Sequence, residues 1–71
     1  MKKEHKEFLK KSGWEIEDRG EYLTAKKDGN EVDFKSDAEM NLSKTYLCID
    51  SEDSISHIYF WIDGTITGVI I

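Results

Sequence analysis

Two Asp-Gly pairs, Asp28-Gly29 and Asp63-Gly64, constrain the fold of this chain more than any other feature of its 71 residues. Asp-Gly set between alternating apolar and polar residues is a strong hairpin signal, because both residues tolerate the positive φ that a type I′ turn demands. Read as a two-residue turn, Asp28-Gly29 sets Leu23 opposite Phe34 and Ala25 opposite Val32, with Thr24 opposite Asp33 and Lys26 opposite Glu31. Apolar meets apolar and charge meets countercharge, as cross-strand pairing favours. Counting onward across Arg19-Gly20 sets Ile16 opposite Leu23 and Trp14 opposite Ala25. A one-residue slip would turn every side chain to the other face, so agreement among three strands identifies that face. Trp14, Ile16, Leu23, Ala25, Val32 and Phe34 are expected inside; Glu15, Glu17, Thr24, Asp33 and Lys35 are expected outside.

The second Asp-Gly pair lies in the most apolar stretch, Ser54 to Ile71, SISHIYFWIDGTITGVII. A four-residue loop after Asp50 would put Leu47 opposite Ile58 and Tyr46 opposite Tyr59. A two-residue turn at Asp63-Gly64 would put Ile58 opposite Val69 and His57 opposite Ile70. Two apolar sets result. Leu47, Ile49, Ile58, Phe60, Val69 and Ile71 are assigned to the core, and Tyr46, Cys48, His57, Tyr59, Trp61, Ile66 and Ile70 to the opposite face.

Ahead of the strands, His5, Phe8, Leu9 and Ser12 follow the i, i+3, i+4, i+7 spacing of an amphipathic helix, and Gly13 supplies its C′ stop. Ser36-Asp-Ala-Glu39 matches a capping box. The segment that follows, Asp37 to Leu42, reads either as a helical turn or as a loop whose Met40 and Leu42 plug the core. The expected fold is α+β in a single domain, residues 1–71. One helix (about 2–12) packs on one face of an antiparallel meander sheet of five or six strands, at about 14–18, 21–27, 30–35, 45–50, 55–62 and 65–70.

Composition narrows the function classes. Charged residues make up 35% of the chain and hydrophobic residues 38%, which implies a charged surface around a small core. The net charge of −5 opposes direct binding to nucleic-acid phosphates and favours basic partners. A single cysteine, Cys48, forms no internal disulfide and suits a reducing compartment. Met1 to Lys11 lacks the apolar core of a signal peptide, and no apolar run is long enough to span a bilayer. A cytoplasmic protein without membrane association is expected.

No nucleotide, metal or catalytic motif stands out, and the sequence reading assigns no catalytic residue, no metal ligand and no cofactor. Cys48 and His57 are cross-strand neighbours by register, but a nucleophile needs a base, an orienting group and donors for the developing charge. Asp50, Glu52, Asp53 and His57 gather acids and an imidazole without the frame of a calcium loop, which leaves metal binding by the 50–57 loop as a distant alternative. The expectation is a non-enzymatic small acidic protein-binding module of the inhibitor or immunity type, acting on a basic protein surface. Self-association as a homodimer is expected through an aromatic sheet face made of Tyr46, His57, Tyr59, Trp61, Ile66 and Ile70, with another protein as the alternative occupant of that face. Glu15, Glu17 and Asp33 would form an acidic partner surface. The alternatives are a purely structural homodimer and a sheet curled into a barrel or sandwich that draws both apolar sets into one core.

Overall fold

The structure, a computed structural model, describes residues 1–50 and 56–70, and for Ser56, Val69 and Ile70 the backbone alone. Among the described residues the chain forms α1 (Lys3–Lys11), then β1 (Glu15–Asp18), β2 (Tyr22–Lys27), β3 (Asn30–Lys35), β4 (Glu39–Leu42), β5 (Tyr46–Asp50), β6 (Ser56–Trp61) and β7 (Ile66–Ile70). The class is α+β, but the expected single sheet is two antiparallel sheets, β1-β2-β3 and β4-β5-β6-β7. The physical reason lies in cover. A nine-residue helix cannot shield one face of a six-stranded sheet, whereas two smaller sheets can bury their inner faces on each other.

Helix α1 buries the stripe that its spacing implies: His5, Leu9 and Ser12 are buried and Phe8 is half-buried. Its end is a Schellman motif, in which the Trp14 N–H donates to the Leu9 carbonyl at 2.9 Å and the Gly13 N–H to the Lys10 carbonyl at 3.0 Å. Gly13 accommodates the φ of +93° that this motif requires at C′. The helix rests against β1 of one sheet and β5 of the other.

In the three-stranded sheet, the β2–β3 register is the one the Asp-Gly turn implies, Leu23 with Phe34 and Ala25 with Val32. Asp28 and Gly29 have φ of 48° and 83°, the two positive angles of a type I′ turn. The β1–β2 register differs from expectation by two residues: Ile16 faces Ala25, and Asp18 faces Leu23. Gly20, at φ +87°, is the first central residue of its turn rather than the second, and Arg19 N–H donates to the Tyr22 carbonyl at 2.8 Å. A two-residue shift preserves the faces. Thr24 departs from its expected exposure, because its side chain is fully buried and its hydroxyl donates to Asp33 Oδ1 at 2.6 Å, which satisfies the buried group.

In the four-stranded sheet three expectations are corrected. Residues 39–42 are neither a helical turn nor a loop but strand β4, pairing Met40 with Ile49 and Leu42 with Leu47. The alternation Glu-Met-Asn-Leu points Met40 at the core, and tertiary pairing overrides the local capping-box preference. The β5–β6 register is shifted by two, setting Leu47 opposite Phe60 and Cys48 opposite Tyr59, with the faces kept. The β6–β7 register is shifted by one, setting Phe60 opposite Ile66 and Tyr59 opposite Thr67. Here the faces do change. The loop has three residues, Ile62-Asp63-Gly64: Gly64 N–H donates to the Trp61 carbonyl and Trp61 N–H to the Thr65 carbonyl, each at 2.9 Å. With Gly64 at φ +92°, this is a type I turn followed by a left-handed bulge residue. Ile66 therefore packs on the core and leaves the aromatic face, where Thr67 takes its place. Ile70 pairs through its backbone with Ser56; its side chain, that of Val69, and Ile71 lie outside the described residues.

One core joins both sheets and the helix. Leu9, Trp14, Leu23, Ala25, Phe34, Leu47, Ile49 and Phe60 are buried together. Phe60 lies at the centre, edge-on to Trp14 at 5.2 Å and to Phe34 at 6.2 Å. Lys27 ties the parts at their rim: its Nζ donates to the Gly64 carbonyl at 2.9 Å and lies 6.0 Å from the centre of the Trp14 ring. A strand of one sheet is thereby joined to a hairpin loop of the other.

Candidate functional site

With the inner faces consumed by the core, the outer face of the β4–β7 sheet carries the groups that folding leaves over. Strand alternation puts Tyr46, Cys48 and Asp50 on this face from β5, and His57, Tyr59 and Trp61 from β6. Glu39 and Asn41 join them from β4, and Thr67 from β7.

The rings form one cluster at one end of this face. Tyr46 meets Tyr59 and Trp61 edge-on, each at 5.4 Å, while Tyr59 and Trp61 stack at 5.9 Å with planes 19° apart. Offset-stacked and edge-to-face contacts are the favoured geometries of aromatic pairs. The Trp61 indole N–H donates to Thr67 Oγ1 at 2.9 Å, which fixes the ring. All three rings are half-buried, against one another rather than in the core. Among the expected interface residues, then, Tyr46, His57, Tyr59 and Trp61 share this face and Ile66 does not.

At the other end Asp50 sits between a thiol and an imidazole. Its Oδ1 accepts the Cys48 thiol at 3.6 Å and makes a close contact with His57 Nδ1. Burial pushes the Cys48 thiol upward, with the Asp50 carboxylate adding to the rise and the bonded Tyr59 hydroxyl opposing it. Tyr59 is pushed up in turn, chiefly by its bond to Cys48. A catalytic thiol needs the reverse, a lowered pKa from a cation or helix N-terminus and a base in contact. The thiol here rests on a carboxylate that favours the protonated form. The alternation Tyr46-Leu-Cys48-Ile-Asp50 already contained the signal that Asp50 shares a face with Cys48, but grouping Asp50 with the acidic loop obscured it.

Glu15, Glu17 and Asp33 are exposed on the outer face of the three-stranded sheet, where the charge of Glu17 is answered locally. Lys26 Nζ lies 3.0 Å from Glu17, and Arg19 bridges Glu17 at 3.4 Å and Glu31 at 3.9 Å. The Lys26 contact, followed by the Arg19 charge, holds Glu17 below its ordinary carboxylate range, and Glu17 raises Lys26 reciprocally. Asp33 accepts the Thr24 hydroxyl.

Comparison of the chain with protein families, with curated proteins and with solved structures finds no match. No helix among the described residues is long and apolar enough to cross a membrane.

Proposed function

We propose that this protein is a non-enzymatic binding module that docks a basic protein surface on the outer face of its β4–β7 sheet. The observation that carries the reading is the Tyr46-Tyr59-Trp61 cluster, three half-buried rings held in contact on the outer face of this sheet. Tyr and Trp are the side chains that dominate binding energy at interfaces, and a fixed ring plateau loses little entropy on docking. The sign of the partner follows from the same face. Its described positions hold Glu39 and Asp50 and no lysine or arginine, and the chain as a whole carries −5. An arginine can stack on such rings and meet the carboxylates at once. Small inhibitors of the immunity class work by this kind of charge complementarity. The acids of the other sheet, Glu15, Glu17 and Asp33, would act at longer range, by steering.

The test is a heteronuclear NMR titration with an arginine-rich peptide and a lysine-rich peptide of equal charge. The expected result is shift changes centred on Tyr46, Tyr59 and the Trp61 indole N–H, stronger for arginine and lost in Trp61→Ala. Changes confined to β1, β2 and β3, or equal for both peptides and unaffected by Trp61→Ala, would overturn the reading. Sedimentation equilibrium of the free protein measures self-association separately; a dimer dissolved by Trp61→Glu would give this face to a second copy instead.

A further inference from the structure

We propose that Cys48, Asp50 and His57 form a binding site for a divalent transition metal of the zinc class. Two strands build it: Cys48 and Asp50 are two residues apart on one face of β5, and His57 lies directly opposite Asp50 on β6. One donor atom from each, sulfur, oxygen and nitrogen, lies within 4.8 Å of the other two. Bond lengths of about 2.0–2.3 Å place the ligands of a tetrahedral zinc roughly 3.3–3.6 Å apart. The Asp50 contacts with Cys48 and His57 already gather the three donors near that spacing. The donor set selects the metal. Thiolate and imidazole suit zinc, cobalt and copper, whereas calcium and magnesium take oxygen ligands. Three protein ligands leave a fourth position for water or for a group brought by a partner. The thiol gives up its proton to solvent when it binds the cation as thiolate.

The sequence reading found two donors, Cys48 and His57, which do not make a site. The 50–57 segment offered Asp50 and His57 as a separate reading; the structure joins the two sets by pairing Asp50 with His57 beside Cys48, while Glu52 and Asp53 lie outside the described residues. The site adjoins the ring cluster through Tyr59, which faces Cys48 across the strands, yet it does not depend on any partner docking there.

Cobalt(II) is the probe, because it fills zinc sites and reports its ligands by colour. Titration of the metal-free protein should give one equivalent bound, a thiolate-to-cobalt charge-transfer band and tetrahedral ligand-field bands, all displaced by zinc. Cys48→Ser should abolish the charge-transfer band. His57→Gln and Asp50→Asn, both at half-buried positions, should each weaken binding by at least about tenfold, the lower bound seen when even a supporting residue of a metal site is lost. Calcium and magnesium should not compete. Should Cys48→Ser fail to fold, the charge-transfer band of the wild type and the other two variants decide. The proposal is overturned by octahedral cobalt without a sulfur band, by affinity unchanged in His57→Gln, or by displacement with calcium.

Discussion

Replacing Gly64 with alanine tests how the two sheets are joined. Gly64 has φ of +92°, a conformation that costs an L-residue about 1–2 kcal/mol. An added Cβ would lie 2.1 Å from Lys27 Nζ and 2.9 Å from the Ser12 carbonyl oxygen. The lysine end can swing away, but only by giving up its bond to the Gly64 carbonyl, a loss of about 1–2 kcal/mol for a partly buried charged donor. The Ser12 carbonyl belongs to the helix end and can retreat only if the helix moves. The sum is about 2–4 kcal/mol, a large share of the roughly 4–11 kcal/mol expected for a domain of this length. In melting temperature this is a fall of roughly 10–30 °C. Gly29→Ala is the control, because Gly29 has φ of +83° and nothing within 4 Å of its added Cβ. It should lose only the conformational part, about 1–2 kcal/mol. Urea unfolding followed by circular dichroism measures both. A Gly64→Ala protein no less stable than Gly29→Ala would refute the docking of the β6–β7 loop on Lys27 and the helix end.

Phe60→Ala removes the ring on which Trp14 and Phe34 both pack and should cost about 3–5 kcal/mol, a marked fall in the urea midpoint followed by circular dichroism. Folding retained with a loss under about 1 kcal/mol would mean that the sheets do not share this core. Burial, with smaller contributions from Lys2 and the N-terminal ammonium, holds the His5 imidazole below its ordinary 6.5 against the opposing charge of Glu4. The unfolded chain therefore takes up that proton first as pH falls, and stability should be lost as pH drops from 6.5 toward the lower folded value. Urea midpoints at about pH 7.5 and pH 5 should differ less in His5→Gln than in the wild type; an unchanged difference would show that His5 titrates alike in both states. Reversing Glu15, Glu17 and Asp33 to Lys should slow association with the arginine-rich peptide at low salt and have little effect at high salt. A salt-independent loss would make these acids direct contacts.

Periodicity carried the α+β class and six of the seven strands among the described residues, but not their division into two sheets, which depends on what covers each face. The positions of β1, β2, β3, β5, β6 and β7, the inward face of the first three, and the helix stop at Gly13 follow from spacing and turn chemistry. Register errors of two residues, at Gly20 and after Asp50, left every face intact because alternation has period two. The error at Asp63-Gly64 did not, because a three-residue bulged loop has an odd count, and Ile66 exchanged places with Thr67 as a result. Asp28-Gly29 and Asp63-Gly64 are the same dipeptide with different turns; at the second, Asp63 Oδ1 accepts from the Thr65 N–H at 2.9 Å and hydroxyl at 2.6 Å, and Lys27 donates to the Gly64 carbonyl. Strand β4 was hidden for a related reason: the Ser36–Glu39 capping box is a local preference, while the pairing of Met40 with Ile49 is a tertiary one. At the candidate site the ring cluster was legible from alternation. The Asp50 bridge was not, because it depends on the true β5–β6 register.

The claim that most needs direct measurement is that the outer β4–β7 face is where this protein meets its partner. A photoreactive aromatic residue placed at Tyr59 or Trp61, and at the exposed Tyr22 of the other sheet for comparison, can be cross-linked in cells of the native host. Covalent adducts to a basic protein from positions 59 and 61, with none from position 22, are the result predicted. Adducts from position 22 alone, or none from either of the other two, would contradict the account.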